Sequence, residues 1–471
     1  MPASAVIAFT DQSQVLFSSQ VVQTMLPKAG GGYRVYLTSG GVRVLSATST
    51  DLVTWTLEAG VRLSTADTAG VDSSSITSCG VHISTQAGDP YRMYYVGVSS
   101  VGYYRILSAT STDGLAWYKE SGTRLEVGSG QGFLDSPRPI RVDTAGMRLF
   151  YVADSLGGNT PANYRIYSAS STDGGVTLST EGARLASDQA FQVAVTTLTD
   201  GRTRIYYSAP LTGQTTASQV LSAIATDGLS FSKESGARFS TSSASASLTY
   251  PVVVRSTEPY RWRMYCAFTP GGSTLPAAGH ALAATPVILT MTPATALKTE
   301  TNVPFTMTGE VFAPAPAVTF NLGASTMTAT GVAASSDLQL TGNLNPFNRQ
   351  TGRYNATVTN PGDFIATMTW ALELKVPPGT MSILDNLFRP LKGGSARITV
   401  TTYESGRVTL RLYTSDGGLV ATLLDTEMPA GDTVVAWDGK TFVGNTVASG
   451  VYLLSARAPG LETIEKIVVI K

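Results

Sequence analysis

The side chains best suited to chemistry are aspartates, and four of them recur in one repeated unit. The stretch LSATSTDGLAWYKESGTRLE contains Asp113, and close variants of it contain Asp51, Asp173 and Asp227. These carboxylates could act as acids or ligands only if they met at one point. Their spacing of about 60 residues instead indicates one aspartate in each of several stacked units. Because Asp113 and Gly114 also suit a tight hairpin turn, we predict that the repeated aspartates build turns.

An alternating, tyrosine-rich strand precedes the repeated unit and occurs five times. The copies read YRVYLTS, YRMYYVG, MRLFYVA, TRIYYSA and WRMYCAF. Together with neighbouring apolar segments, each period supplies about four short strands, as in the blades of a β-propeller. The fifth copy lacks the turn unit, and the N-terminal segment SAVIAFTDQSQVLFS could supply the missing outer strand. Residues 1–286 are therefore predicted to form a five-bladed propeller closed by its N-terminal strand.

Other positions of the repeat also have structural interpretations. The bulky residue after the turn, present as Trp55, Trp117 and Phe231, is expected to pack between neighbouring blades. An arginine eleven residues after each aspartate is expected to pair with carboxylates or carbonyls; these are Arg62, Arg124, Arg184 and Arg238. Cys79 and Cys266 fall in non-adjacent blades, which favours two buried free thiols over a disulfide.

A ligand of a propeller would meet its innermost strands, and four side chains are candidates there. Asp135 is the one carboxylate predicted on such a strand. Arg138 could clamp a carboxylate or sugar hydroxyls, or it could pair with Asp135. Gln192 could hydrogen-bond a sugar and Tyr250 could stack on its ring, although either could simply fill the wall. Further carboxylates on neighbouring segments could join Asp135, namely Asp11, Asp72 and Asp188.

The segment around Asp135 carries a family resemblance. GFLDSPRPIRVDTAGMRLFYVAD resembles the "D-x-P … dG … yYy" segment of five-bladed glycoside hydrolases of the arabinanase, levansucrase and invertase type. SSTDGGVTL resembles the Asp-box hairpin of sialidases. The resemblance implies glycan contact at the propeller funnel, with Asp135 in an acidic position. Hydrolysis requires at least two carboxylates about 5–10 Å apart, whereas the corresponding positions hold Ala190 and Ser78, so the sequence leaves catalysis open.

The composition changes after residue 286. Residues 287–376 contain short alternating strands, and TGEVF and GRYNATVTNPGD resemble IPT/TIG immunoglobulin-like domains, which implies a spacer or packing role. Residues 377–471 include AGDTVVAWDGKTFVGNTVASGVYLL, which resembles the C-terminal immunoglobulin-like domain named after FlgD. Similar domains of secreted bacterial proteins imply export and attachment to the cell surface through this part. The predicted fold class is all-β, a propeller followed by two immunoglobulin-like sandwiches.

Composition limits the classes of partner that the sequence predicts. Lys+Arg and Asp+Glu both number 33, so the formal net charge is zero and predicts no nucleic-acid partner. No apolar run approaches the roughly 20 residues of a membrane span. The N-terminus lacks the features of an intact signal peptide, so export would require a leader that this sequence does not carry. His82 and His280 lack a paired metal-ligand spacing, and no cofactor motif is present, so neither metal nor cofactor is expected.

Three functions fit these observations. The first is an exported carbohydrate-active or carbohydrate-binding protein, extracellular or on the cell surface, that contacts glycan at the funnel. The second is a non-catalytic surface adhesin or scaffold that uses the propeller as a protein-interaction platform. The third is a self-associating structural protein, suggested by the Ser/Thr-rich surface of low charge. Two or three carboxylates within about 10 Å at the funnel would favour an enzyme, and a lone aspartate would favour binding or scaffolding.

Overall fold

The structure is a computed structural model that describes residues 7–67, 72–83, 90–128, 132–142, 146–154, 156, 158–198, 200–211, 216–240, 247–256, 261–268, 277–361 and 364–471. Within these ranges the regular elements are mainly strands, and 3₁₀ helices lie at Pro161–Asn163 and Pro390–Lys392. No helix in the described ranges has the length and apolar character needed to cross a membrane. The predicted all-β fold class is confirmed.

Five antiparallel sheets follow one another along the first part of the chain, and we number them as blades 1 to 5. The N-terminal strand is β1 (Thr10–Phe17). Blade 1 contains β2 (Gln20–Pro27), β3 (Tyr33–Ser39), β4 (Arg43–Ser49), β5 (Thr56–Leu57) and β6 (Leu63–Ser64). Blade 2 contains β7 (Ser75–Ile83), β8 (Tyr91–Val98), β9 (Tyr104–Ser111) and β10 (Tyr118–Lys119).

The next two blades repeat this arrangement, and the fifth is shared between both ends of the propeller segment. Blade 3 contains β11 (Leu134–Arg141), β12 (Met147–Ala153), β13 (Arg165–Ser171) and β14 (Ser179–Ala183). Blade 4 contains β15 (Gln192–Thr197), β16 (Thr203–Pro210), β17 (Ala217–Ala225), β18 (Ser232–Lys233) and β19 (Phe239–Ser240). Blade 5 contains β20 (Leu248–Ser256), β21 (Arg261–Phe268), β22 (Ala277–Ala283) and β1, which pairs with β22.

The blades form a closed ring around their first strands. Innermost strands β2, β7, β11, β15 and β20 each contact the next, and β20 contacts β2. The strands approach one another closely near the axis, since a Cβ at Gly80 of β7 would overlap the carbonyl oxygen of Pro137 in β11. The predicted five-bladed propeller is confirmed, and its N-terminal strand β1 pairs with β22 of blade 5.

The repeated aspartates form hairpin turns at the outer side of the blades. Asp113 accepts hydrogen bonds from the backbone N–H groups of Leu115 (2.7 Å) and Ala116 (2.9 Å). These backbone bonds hold the pKa of Asp113 below its usual range. Equivalent bonds to backbone N–H groups occur at Asp51, Asp173 and Asp227. The repeated carboxylates are therefore parts of the architecture, as predicted.

Aromatic rings fill the space between neighbouring blades. The bulky residues after the turns contact a ring of the preceding blade, and the pairs are Trp55–Tyr265 (6.2 Å), Trp117–Tyr36 (5.7 Å) and Phe231–Phe150 (5.7 Å). This confirms their predicted position between blades. Cys79 and Cys266 are buried free thiols, also as predicted, and burial raises the pKa of Cys79 to about 12.

Two sandwiches follow the propeller, and we call residues 287–375 the middle sandwich. Its strands are β23 (Val287–Thr292), β24 (Thr295–Leu297), β25 (Val303–Glu310), β26 (Ala317–Leu322), β27 (Ser325–Thr328), β28 (Thr330–Ser336), β29 (Gln339–Leu344), β30 (Gly352–Asn360) and β31 (Phe364–Lys375). They form the sheets β23-β25-β29-β28 and β24-β31-β30-β26-β27. Phe305 and Phe320 meet edge to face in the core between the sheets.

Residues 380–469 form the C-terminal sandwich. Its strands are β32 (Thr380–Leu384), β33 (Leu387–Phe388), β34 (Ala396–Thr402), β35 (Gly406–Thr414), β36 (Leu419–Met428), β37 (Gly431–Trp437), β38 (Gly450–Ala458) and β39 (Leu461–Val469). They form the sheets β32-β34-β37 and β33-β39-β38-β35-β36. Trp437, buried against the rings of Phe388 and Tyr452, is the core anchor of this sandwich. The chain therefore consists of a propeller followed by two immunoglobulin-like sandwiches.

Candidate functional site

Asp135 and Tyr250 lie at matching irregularities of two innermost strands. The strand register shifts after Asp135 in β11 and after Thr249 in β20. Ser136 (φ 53°) and Tyr250 (φ 51°) occupy the left-handed region at these shifts, and each is followed by proline. Because proline cannot donate to a sheet ladder, the Ser-Pro and Tyr-Pro sequences favour a bulge. A left-handed backbone at such residues costs about 1–3 kcal/mol, so the surrounding contacts must hold it in place.

Asp135 is enclosed near the axis and bonded to a different blade. The residue is 3% exposed, and the Tyr250 hydroxyl of blade 5 donates a 3.0 Å hydrogen bond to its Oδ2. The backbone N–H of Ser136 donates to Oδ1 at 2.6 Å and also lies 3.0 Å from Ser78 Oγ. Burial raises the pKa of Asp135, while these hydrogen bonds and the charge of Arg138 act in the opposite direction. Burial, followed by the Asp135 carboxylate, raises the pKa of Tyr250.

Arg138 connects three blades. From β11 of blade 3, its Nε donates to the carbonyl of Val193 in blade 4 (2.9 Å) and its Nη1 to the carbonyl of Cys79 in blade 2 (2.5 Å). The residue is buried, and burial lowers the pKa of its guanidinium, while the nearby charge of Asp135 favours the cation. Its hydrogen bonds go to the backbone of neighbouring blades rather than to Asp135. This geometry makes Arg138 a tie between innermost strands.

The side chain of Gln192 also has a hydrogen-bond partner within the propeller. It opens β15 and is buried, and the hydroxyl of Ser208 donates a 2.6 Å hydrogen bond to its side-chain oxygen. Of the four side chains predicted to meet a ligand, Asp135, Arg138 and Gln192 are buried, and Tyr250 is half-buried. The structure therefore places Asp135 and Tyr250 in contact, and gives Arg138 and Gln192 partners inside the protein.

Two other candidate carboxylates, Asp72 and Asp188, have partners within their own blades. Asp72 and Asp188 precede the first strands of blades 2 and 4, and each binds a lysine and a tyrosine of its own blade. The sets are Asp72 with Lys119 (2.6 Å) and Tyr95 (3.2 Å), and Asp188 with Lys233 (2.6 Å) and Tyr207 (2.5 Å). The recurrence of one Asp–Lys–Tyr arrangement in two blades marks it as a structural feature. Asp11 lies on β1, the outermost strand of blade 5.

A row of aromatic rings lies beside Asp135, and the repeat pattern does not single it out. Phe133 stacks on Tyr164 with ring centroids 4.1 Å apart. Tyr104 and Phe191 extend the row, at 5.4 Å from Phe133 and 6.0 Å from Tyr164 respectively. Burial raises the pKa of Tyr164 to about 12, and Tyr104 and Asp135 are among the neighbouring groups that add to this shift. Tyr164 is therefore the ring of the row whose pKa Asp135 influences.

The four rings share one end of the propeller. Each stands at or just before the beginning of a first or third strand, namely β9, β11, β13 or β15. Because alternate strands of an antiparallel blade run in the same direction, these beginnings lie at the same end as Asp135. We call this end the mouth, and it comprises Tyr104, Phe133, Tyr164, Phe191 and Tyr250. The only sequence signal for it is an aromatic residue at each of these strand entrances.

Asp154, at the end of β12, is a second carboxylate near the mouth. It is fully buried, and its two oxygens accept hydrogen bonds from the backbone N–H groups of Leu156 (2.9 Å) and Thr160 (2.8 Å). These bonds shape the connection that leads to Tyr164. Asp154 therefore supports the mouth and is not exposed to a ligand.

His82 is the histidine whose side chain the structure describes. Among the described residues, no group of three or more His, Cys, Asp or Glu side chains is arranged to hold a metal ion. The side chain of His280 lies outside the described residues. His82 stacks on Tyr94 with a centroid distance of 6.4 Å, and both of its ring nitrogens are buried.

We expect the protein to lose stability between pH 6.5 and pH 4 because of His82. Burial, followed by the charge of Arg92, lowers the pKa of His82 to about 4, and Arg141 adds to the shift. An unfolded histidine titrates near 6.5, so in this window the unfolded chain binds more protons than the folded chain. As the pH is lowered through this window, the free energy of unfolding should therefore decrease by on the order of 2 kcal/mol. Urea unfolding at pH 7 and pH 4.5 should show a smaller loss for His82→Gln, and an equal loss in both proteins would contradict this explanation.

Comparison with known families identifies the C-terminal part. Residues 386–460 match the family described as the FlgD Ig-like domain. This match confirms the resemblance predicted for the C-terminal sandwich. No curated protein matches the chain.

The propeller is similar in fold to solved glycoside hydrolases. A thermostable family-43 glycoside hydrolase is 16% identical with a TM-score of 0.43, and the alignment covers 61% of this chain and 91% of that one. The endo-arabinase from Bacteroides thetaiotaomicron is 11% identical with a TM-score of 0.44, covering 59% and 96%. The GH43_1 enzyme from Xanthomonas citri, solved with xylose, is 12% identical with a TM-score of 0.43, covering 59% and 90%. These structures are of the class that the sequence resemblance indicated, and they assign no role to any residue of this chain.

Proposed function

We propose that the mouth of the propeller binds a glycan without hydrolysing it. The observation that carries this proposal is the aromatic row beside the enclosed carboxylate of Asp135. Tyr104, Phe133, Phe191 and Tyr250 are half-buried, so none of these residues is fully enclosed. Aromatic faces provide rigid apolar area, and tyrosine hydroxyls provide polar contacts, which together suit a sugar ring with one apolar face and several hydroxyls.

The state of the carboxylates supports binding over hydrolysis. Hydrolysis of a glycosidic bond needs two carboxyl groups about 5–10 Å apart that can reach the bond or an attacking water. Asp135 is buried with its oxygens bonded to Tyr250 and Ser136, and Asp154 bonds two backbone N–H groups. Neither carboxylate is placed to exchange protons with a ligand at the mouth.

We also propose that the protein acts outside the cell and is attached through its C-terminal sandwich. Charged residues make up only 14% of the chain. Phe442 and Val443 lie in the connection between β37 and β38 of the C-terminal sandwich, and they are 75% and 65% exposed. They offer an apolar attachment point. Cell fractionation with an antibody against the chain tests this location, and recovery in the cytoplasm alone would contradict it.

A glycan array probed with the full chain, followed by calorimetric titration of the glycans that bind, tests the function. Replacing Tyr104 or Phe133 with alanine should weaken binding about tenfold, because each removes one stacking surface. The matched control is Tyr118→Ala, which removes an exposed tyrosine from β10 at the outer edge of blade 2 and should leave binding unchanged.

Incubation of the full chain with arabinan, fructan and sialosides separates binding from hydrolysis. We expect no release of sugars. Product formation that is abolished by Asp135→Asn would show a catalytic carboxylate and overturn the non-hydrolytic proposal. Absence of binding to every glycan would instead favour the alternative of a scaffold that contacts proteins.

A further inference from the structure

Neighbouring blades are joined by a docking contact that repeats around the ring. Near its start, the second strand of each blade carries an arginine and, two residues later, an aromatic residue, and these hold the outer hairpin turn of the next blade. The side chain and carbonyl pairs are Tyr36–Gly114 (2.9 Å), Tyr94–Gly175 (2.7 Å), Arg148–Gly228 (3.3 Å) and Tyr265–Leu52 (2.7 Å). All four acceptor residues have a left-handed backbone conformation. Four of the five junctions therefore use the same contact.

The junction between blades 4 and 5 has no such hairpin, because the outer strand of blade 5 is β1. Blade 4 nevertheless carries the docking side chains Arg204 and Tyr206 in the usual positions of β16. The Tyr206 hydroxyl is buried and, within the described part of the chain, has no hydrogen-bond partner. Blade 4 thus presents a docking groove whose usual occupant is missing.

The middle sandwich places an acidic turn in this groove. Glu310, at the end of β25, accepts two hydrogen bonds from the Arg204 guanidinium, at 2.5 and 2.8 Å, and both residues are buried. The next residue, Val311, has φ 62°, the same value as Leu52 in the docked turn of blade 1. An acidic residue followed by a left-handed residue is also the order at Asp51 and Leu52. The turn therefore resembles the missing hairpin in its order of residues and its backbone conformation, and it binds Arg204 through a carboxylate where the hairpins present a backbone carbonyl.

Apolar contacts surround this ion pair. Val311 and Leu338 of the middle sandwich belong to one buried cluster with Tyr206 of blade 4 and Ile7 of the N-terminal segment. Arg238 donates to the carbonyl of Ile7 at 3.2 Å. The equivalent arginines of blades 1 to 3 donate instead to a carbonyl of the next hairpin. The N-terminal segment and the sandwich turn together fill the place of one hairpin.

Asn360 fixes the passage from the propeller to the middle sandwich. Its Nδ2 donates to the carbonyls of Ala284 (3.1 Å) and Val311 (2.5 Å), and its Oδ1 accepts from the N–H of Ala313 (3.0 Å). The residue is buried. One side chain therefore joins the end of blade 5 to the turn that enters the groove, without a free linker between them.

We infer that the turn at Glu310 and Val311 serves as the fifth docking turn of the propeller, so that the middle sandwich is a structural component of the ring. The contact also determines the end of the propeller at which the middle sandwich lies. Arg204 lies near the start of a second strand, which is the end of the blade opposite to the mouth. The middle sandwich docks there and leaves the aromatic row accessible.

Hydrogen exchange of the full chain, measured by mass spectrometry, tests this inference. Replacing Glu310 with alanine leaves Arg204 with Glu234 as its remaining carboxylate partner and empties the groove of its anion. We expect exchange about tenfold faster in β16 of blade 4 as well as in β25 of the middle sandwich. Strand β8 of blade 2, which has its own docked hairpin, should keep its protection.

Two further variants make the outcome decisive. Glu310→Gln retains the size of the side chain and should show a smaller effect in the same strands, which keeps the test valid if the alanine variant fails to fold. Glu373→Ala removes a surface pair with Arg353 from the same sandwich and should change nothing in β16. Faster exchange confined to the middle sandwich in both Glu310 variants, with β16 unchanged, would overturn the inference.

Discussion

Replacing Arg138 with methionine is expected to lower the free energy of unfolding by about 2–4 kcal/mol. Methionine retains an apolar stem but cannot donate to the carbonyls of Cys79 and Val193, which Arg138 now bonds from a third blade. An unsatisfied buried polar group costs about 1–3 kcal/mol, and two such groups result. The substitution also removes a buried cation, whose desolvation is unfavourable, and this gain offsets part of the loss. Urea unfolding of the full chain, followed by circular dichroism, measures the change.

The matched control for this variant is Arg457→Met. Arg457 pairs with Glu462 on the surface of the C-terminal sandwich, and both side chains are more than 70% exposed. We expect a change of less than about 0.5 kcal/mol there. If Arg138→Met kept its stability but lost glycan binding, Arg138 would be a ligand-binding residue, as the sequence pattern allowed, and not a tie between blades.

The repeat could be predicted from the sequence because its chemistry is local. An aspartate that bonds backbone N–H groups two and three residues later, beside a glycine, specifies a turn from a few neighbouring residues. The alternating strands around Tyr94 and Tyr206 likewise show their period directly. Repetition of the unit then gives the number of blades. These features needed no knowledge of distant contacts.

The state of the candidate site could not be predicted in the same way. Arg138 bonds Cys79 and Val193, which lie 59 and 55 residues away in the sequence. Whether Asp135 is open to solvent depends on Tyr250, which reaches it from another blade. Such contacts follow from the closure of the ring. A list of residues on innermost strands therefore identifies which side chains are near the axis, but not which of them already have partners.

The fifth docking turn could not be predicted from the sequence for a different reason. Its left-handed residue is Val311, and β-branched residues rarely adopt that conformation. The glycine that marks the turns at Gly114 and Gly228 is therefore absent. Glu310 also ends a regular strand, β25, so nothing in the local sequence suggests a contact with blade 4. The sequence signal for this contact is in the propeller, where blade 5 lacks a hairpin but blade 4 keeps its docking side chains.

A chain that ends at residue 286 is expected to be largely unfolded or aggregated, whereas a chain that ends at residue 376 should fold. The shorter chain loses the hydrogen bonds of Glu310 to buried Arg204, which keeps only Glu234, and a hydrogen bond to a charged group contributes about 1.5–3 kcal/mol. It also exposes Tyr206 and the apolar cluster that Val311 and Leu338 cover, at about 1.5–3 kcal/mol for each large side chain. These losses approach the whole stability of a typical domain, about 5–15 kcal/mol. Thermal melts and gel-filtration profiles of the two chains measure the difference.

The chain ending at residue 376 is the control for length, because it also lacks residues present in the full protein but keeps the groove of blade 4 filled. Its melting temperature should match that of the propeller in the full chain. A cooperative melt of residues 1–286 at that same temperature would show that the propeller is self-sufficient and that the contact of Glu310 is incidental. If the shorter chain instead fails to fold, its lack of glycan binding would carry no information about the mouth, since the ring that positions Asp135 and Tyr250 would itself be missing.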